Sequence, residues 1–246
     1  MRELLLMFFI LPLTLIAEQK TVVVIHGLAA SSGVMWHVED TLEADGYRVI
    51  NIDYPSMSKT LGMLAQHVRK QISSQARVDE PIDVVTHSMG GILLRTIQHE
   101  DPLPNIRRVV MIAPPNHGSE ALDIVAAPFL AKLAFGPAGS QMSAVNAERW
   151  KALGPAPFEV GVIAGSLGID PVISSMIPGP DDGVISVEST KLDGMADFVV
   201  IHESHPMLVF NGEVMEQMIA FLDTGKFLSP QPAKKSQWAG NWTHRR

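Results

Sequence analysis

The sequence predicts an α/β protein built on a mostly parallel sheet with helices on its faces. Two observations predict it. Apolar runs rich in β-branched residues alternate along the chain with stretches of helical period, the order that parallel strands joined by crossover helices impose. The runs are also nearly continuous in apolar residues rather than alternating, as strands buried on both faces require.

At 246 residues with 46% hydrophobic and 18% charged, the chain can bury a large core, and one domain is expected. The 26 Asp and Glu against 19 Lys and Arg leave a net charge of −7. No basic stripe crosses the body of the chain, which argues against nucleic acid as a partner. The sequence has no cysteine; any covalent chemistry must use a nucleophile other than a thiolate, and no disulfide or Cys-ligated metal is available.

The elements follow in order. Arg2 precedes an apolar run from Leu4 to Ala17, the size of a signal-peptide core and short of the ~20 residues that span a bilayer. Residues 1–19 are therefore expected to direct export or to serve as an N-terminal anchor, against Glu3 and a poor cleavage site with Leu15 where a small residue is wanted. A single folded domain is expected over 20–225. Its first strand is TVVVI (21–25), ending in the small-residue loop His26-Gly27-Leu28-Ala29-Ala30-Ser31-Ser32-Gly33. The second is YRVINI (47–52), followed by Asp53, for which capping a turn is an adequate role. Leu61, Leu64, Ala65, Val68 and Ile72 then recur at three- and four-residue steps, one face of a helix.

The third strand, IDVVT (82–86), runs into Thr86-His87-Ser88-Met89-Gly90-Gly91 and then into a helix with Met89, Ile92, Leu93 and Ile97 on one face. The fourth is RRVVMI (107–112). Residues 118–157, apolar and broken by Gly136, Pro137, Gly139, Gly154, Pro155 and Pro157, are too long for an ordinary connection and read as a helical insertion. The fifth and sixth strands are FEVGVIA (158–164) and DFVVIH (197–202), and Val214, Met215, Met218, Ile219 and Leu222 mark a closing helix. The tail 226–246 carries five cations and no acid, leaving the rest of the chain at −12. Its prolines and low apolar content predict disorder. Trp238 and Trp242 beside its basic residues offer a contact to an anionic membrane, with a solvated terminus the favoured expectation.

The strand-to-helix turn at Ser88 is where a serine nucleophile belongs. A sharp turn there lifts the hydroxyl out of the carboxyl edge of the sheet, and the helix N-terminus adds a partial positive charge where an oxyanion forms. As a bare motif, Ser-x-Gly-Gly is equally a helix N-cap. The N–H groups of Leu28 and Met89 are the expected oxyanion donors. A serine needs an imidazole in reach, itself oriented by a carboxylate. His205, in the loop after the last strand, is the expected base, with His202 the alternative. His87 points the wrong way, His26 shapes its own loop, and His117 reads as a wall residue near the site. The carboxylate should follow the fifth strand, where Asp182, next to Gly183, is preferred to Asp181, with Asp53 the remaining rival.

The order Ser88, Asp182, His205, together with the blocks HGLAASSGVMW, DVVTHSMGGILLR, APPNHGSEALD, PDDGVISVES and ESHPMLVFNGEVMEQMIAFL, resembles the α/β-hydrolase superfamily, especially its bacterial lipases and esterases. The resemblance runs from about Thr21 to Leu222. It implies a serine hydrolase of carboxylic esters with no metal or organic cofactor, acting on a small-molecule or lipid ester. It also implies that 118–157 is the cap or lid. Thr86 departs from the family's usual glycine. Two other readings accompany it: an acyltransferase using the same acyl-enzyme, and a non-catalytic binding module on the same fold.

Overall fold

The computed structural model describes residues 19–77, 79–125 and 128–229. The apolar segment at 1–18 and the tail from 230 lie outside the described residues, and with them the expectations placed there. Among the described residues no helix is long and apolar enough to cross a membrane.

Six strands form one sheet: β1 (Thr21–Ile25), β2 (Arg48–Ile52), β3 (Ile82–His87), β4 (Ile106–Ile112), β5 (Glu159–Gly165) and β6 (Asp197–Ile201). All pair in parallel in the order β2-β1-β3-β4-β5-β6. Between and after them come α1 (Trp36–Ala44), α2 (Leu61–Gln75), α3 (Met89–Glu100), α4 (Glu120–Val125), α5 (Pro128–Gly139), α6 (Ala147–Ala152), α7 (Pro171–Met176), α8 (Val187–Thr190) and α9 (Gly212–Thr224).

The continuous apolar runs are explained by the pleat, which sends successive side chains to opposite faces. Val22 and Val24 of β1 join the core formed with Val38 and Leu42 of α1 and Val214, Met218 and Phe221 of α9. Val23 and Ile25 join the opposite core, with Leu64 and Val68 of α2 and Ile92 and Leu93 of α3. Burial on both faces holds for β1 and β3 and fails at the edges. In β2 Arg48 is exposed and Asn51 half-buried, and in β6 Val200 is exposed, because an edge strand has one neighbour and an incomplete cover.

The periodic faces of α2, α3 and α9 are buried as their spacing requires. Helix α1 has no such signature: it buries Val38 and Leu42 in an otherwise polar run. The Asn211 side chain accepts the N–H groups of Glu213 (2.9 Å) and Val214 (3.2 Å) to start α9, and Gly225, at φ 76°, ends it. The described chain continues past residue 225 into the first residues of the tail. The Phe227 N–H donates to Asp197 Oδ2 (2.9 Å), its ring lies 5.0 Å from that of Phe221, and the Leu228 N–H donates to Gln217 Oε1 (2.7 Å). The half-buried Phe227 ring, packed against the core beside Phe221, gives these residues a place on the body that the composition of the tail as a whole conceals.

The chain leaves β1 for β2 on one side and returns to β3 on the other. Such a reversal opens a crevice at the carboxyl ends of the two diverging strands.

Candidate active site

That crevice is closed tightly from below. Ser88 stands between β3 and α3 at φ 52°, ψ −123°, a conformation rare for any residue but glycine and costly unless its surroundings enforce it. They do so by close approach. A Cβ on Gly90 would lie 2.4 Å from the Ile25 carbonyl oxygen and 2.8 Å from that of His26, and one on Gly27 would lie 3.0 Å from the Ser88 Cβ. The Ser88 N–H donates to the Ile112 carbonyl (2.9 Å), anchoring the turn to β4. Thr86, where the family motif has glycine, is fully buried, and its hydroxyl has no partner among the described residues.

Above the turn, three side chains form one hydrogen-bonded chain. His205 Nε2 lies 2.9 Å from Ser88 Oγ, and His205 Nδ1 lies 2.7 Å from Asp182 Oδ2. Asp182 is inaccessible to solvent. Its other oxygen, Oδ1, accepts the N–H groups of Val184 (3.0 Å) and Ile185 (2.9 Å), while its carbonyl accepts the His205 N–H (2.9 Å). Backbone and side chain thus fix the acid and the imidazole relative to each other.

The rival residues are elsewhere. Asp181 Oδ1 accepts Ser174 Oγ and the Gly183 N–H, each at 2.8 Å. Asp53 is exposed and caps the first loop through the Ser32 N–H (2.9 Å). His202 Nδ1 lies 3.4 Å from Ser166 Oγ at the surface. His26 is buried and stacks on Tyr54 at 4.0 Å, with Nδ1 2.8 Å from the Gly27 carbonyl; burial pushes its pKa below the usual imidazole value. His117 is exposed and does not line the cavity at Ser88, where Pro115 and Ser119 stand instead.

His87 has a role the sequence did not show. Its Nε2 lies 3.2 Å from the His205 carbonyl oxygen, and the two rings are 5.0 Å apart. Burial, with the neighbouring His205, pushes the imidazole down to about 3. It is therefore neutral near pH 7, and Nε2 carries the hydrogen that the carbonyl accepts.

Ser88 opens into a cavity of about 190 Å³ walled by Leu28, Ala29, Leu122, Phe135, Met142 and Ile185. Leu28 belongs to the loop pressed against Ser88, and Met89 is the first residue of α3. Among the described residues neither backbone N–H donates to a protein acceptor, and no group of three or more His, Asp or Glu could hold a metal ion.

The architecture has solved counterparts. A mature lipase of Bacillus licheniformis superposes with a TM-score of 0.66 at 19% identity, covering 84% of this chain and 92% of that one. A carboxyl esterase of metagenomic origin gives 0.64 at 14%, covering 77% and 65%. Polyneuridine aldehyde esterase gives 0.54 at 16%, covering 84% and 100%. No curated protein matches the sequence. The profile described as "Alpha/beta hydrolase family" matches residues 22–224, and the chain belongs to that family.

Proposed function

We propose that the protein hydrolyses carboxylic esters through an acyl-Ser88 intermediate. The observation that carries this reading is the unbroken chain from Asp182 through His205 to Ser88. The Ser88 proton moves to His205 Nε2 as Oγ forms a bond to the ester carbonyl carbon. Asp182 stabilises the imidazolium and holds the ring in one tautomer. The carbonyl oxygen takes up the negative charge between the Leu28 and Met89 N–H groups, the second of them at the positive end of α3. The ester C–O bond then breaks, and His205 returns the proton to the departing alkoxide. Water repeats the sequence on the acyl-enzyme, releasing the acid and restoring Ser88. The reading is supported by the names of the similar structures, a lipase and two esterases, each a property of that protein.

A fluorophosphonate tests it, since phosphorus takes the place of the carbonyl carbon and the adduct is stable. Intact mass should show one adduct per chain, absent from Ser88→Ala and strongly slowed in His205→Ala. Turnover of a simple ester should fall roughly 10⁴-fold or more in Ser88→Ala. Retention of most turnover by that variant would remove Ser88 as the nucleophile.

A further inference from the structure

We infer that Glu120 is a positioning residue for Asp182, acting through Ser186 to hold the turn that aims the acid at His205. The inference rests on the acyl-Ser88 reading and adds a residue to it. Asp182 sits in a tight reversal closed by a bridge between Asp181 and Ser186. Two backbone bonds complete it, from the Asp182 N–H to the Ile185 carbonyl (3.2 Å) and from the Val187 N–H to the Pro180 carbonyl (2.8 Å). Gly183, at φ 92°, supplies the left-handed residue that the reversal needs. Oδ1 of the acid accepts the Val184 and Ile185 N–H groups of this same turn. The carboxylate therefore points wherever the turn points.

The turn is splinted from outside by the segment that leaves β4. Asn116 Nδ2 donates to the Thr190 carbonyl (2.8 Å), the His117 N–H to the Ser189 carbonyl (3.1 Å), Ser189 Oγ to the Gly118 carbonyl (2.6 Å) and Ser119 Oγ to the Val184 carbonyl (2.9 Å). Arg95, buried in α3, fastens the start of this splint: Nη1 donates to the Asn116 carbonyl (2.9 Å) and to its Oδ1 (3.2 Å). Glu120 fastens the other end. Its Oε1 accepts Ser186 Oγ (2.5 Å), and its Oε2 accepts the Ser186 N–H (3.2 Å). Both oxygens thus hold one buried residue at the close of the turn. Among these contacts the Glu120 carboxylate is the one anionic acceptor, and charge-assisted bonds are the strong ones. Ser186 Oγ also accepts the Ser189 N–H (3.1 Å), which starts α8. Without Glu120, a buried hydroxyl and a buried N–H lose their acceptor and the turn must shift to satisfy them. Asp182 would shift with it, and a misplacement of about 1 Å at a reacting group can cost roughly 100-fold in rate. Glu120 is also the first residue of α4, where an acid favours the helix start; that role alone would leave the chemistry of each folded site unchanged.

The experiment compares Glu120→Ala, Glu120→Gln and Ser186→Ala with the parent full chain, each also combined with Asp182→Asn. The final extent of fluorophosphonate labelling counts the reactive sites. Hydrolysis of p-nitrophenyl butanoate and the rate of labelling are then expressed per site, so that loss of folded material cancels. Glu120→Ala and Ser186→Ala should each lower kcat per site roughly tenfold or more with KM within about twofold. Glu120→Gln keeps one acceptor for Ser186 and should lose less. Against Asp182→Asn the same substitutions should change the labelling rate by less than about twofold, because no anion remains to be aimed. Losses of equal size in both backgrounds overturn the inference, as does a lowered melting temperature with kcat per site unchanged, which assigns Glu120 to the stability of α4. Should Glu120→Ala yield no folded protein, Glu120→Gln and Ser186→Ala carry the same comparison. A labelled parent matched per site by its variants rejects only the role of Glu120. A parent with Ser88 unlabelled and the ester intact rejects the acyl-serine reading and this inference with it.

Discussion

The imidazole of His87 lies one residue from Ser88, yet it serves the other end of the site by holding the His205 carbonyl. Its displacement from the usual value of 6.5 to about 3 has a consequence for stability. The folded protein keeps this ring neutral, while the unfolded chain protonates it below about 6.5, so the unfolded state binds more protons in that range. The contribution is complete above pH 6.5 and is lost as pH falls toward 3, at up to about 1.4 kcal/mol per pH unit for one proton. His26, lowered in the same direction by burial, adds to the slope. His87→Gln keeps an N–H to offer the carbonyl and cannot titrate. Urea unfolding between pH 7.5 and 4.5 should therefore show a flatter profile for the variant, and parallel profiles would mean that His87 is protonated in the fold. Ser88, Asp182 and His205 were legible as candidates because each follows a recognisable strand at the same sheet edge. The part played by His87 was not, because its partner is a backbone carbonyl 118 positions away, and a carbonyl leaves no mark in a sequence.

Among the elements, the close contact of the β1 exit with the first turn of α3 sets the position of Ser88. The two glycines after Met89 are unequal. A Cβ on Gly90 would meet backbone oxygen at 2.4 Å, while one on Gly91 would meet Pro114 Cβ at 3.1 Å and Thr86 Oγ1 at 3.3 Å. Gly90→Ala should cost about 1–3 kcal/mol by overpacking and lower kcat by displacing Ser88, with Gly91→Ala milder in both. Thermal unfolding and ester kinetics on the pair check the order, and equal effects would contradict the contact. Periodic faces marked α2, α3 and α9 in the sequence, whereas α1 buries two residues, too few to set a period. The edge strands misled for a related reason. Apolar residues in β6 suggested two covered faces, but the number of neighbours belongs to the sheet and not to the strand.

Across the whole molecule the sheet divides its labour between its ends. The carboxyl edge holds Ser88, Asp182 and His205. Near the amino edge, Asp83 is buried in β3 and paired with the Arg107 guanidinium through two hydrogen bonds, that from Nε at 2.9 Å, and it also accepts the Arg108 N–H (3.2 Å). Burial raises the Asp83 pKa against the opposing pull of Arg107. The five residues from Asp83 to Ser88 extend about 16 Å along a strand. Asp83→Ala strands a half-exposed guanidinium and three donors, and should cost about 3 kcal/mol while leaving kcat of the folded fraction within about twofold. Denaturation curves and active-site-titrated kinetics test this separation; a large fall in kcat per titrated site would show that the two ends communicate. The parallel order of the sheet was legible from its apolar runs. The shape of the cavity beside Ser88 was not, because Phe135 in its lining follows the kink at Gly136, which meets the Met57 backbone, a contact between segments 79 positions apart.

Among the described residues β6 is the last strand in sequence, pairs with β5 alone, and is followed at once by the loop that bears His205. On a ribosome, Ser88 and Asp182 emerge well before the imidazole that would make the serine reactive. On the acyl-serine reading, a nascent or half-folded chain is thus chemically silent. The appearance of turnover during refolding should mark the docking of this edge, a clock for the completion of the fold that no measure of helix content provides.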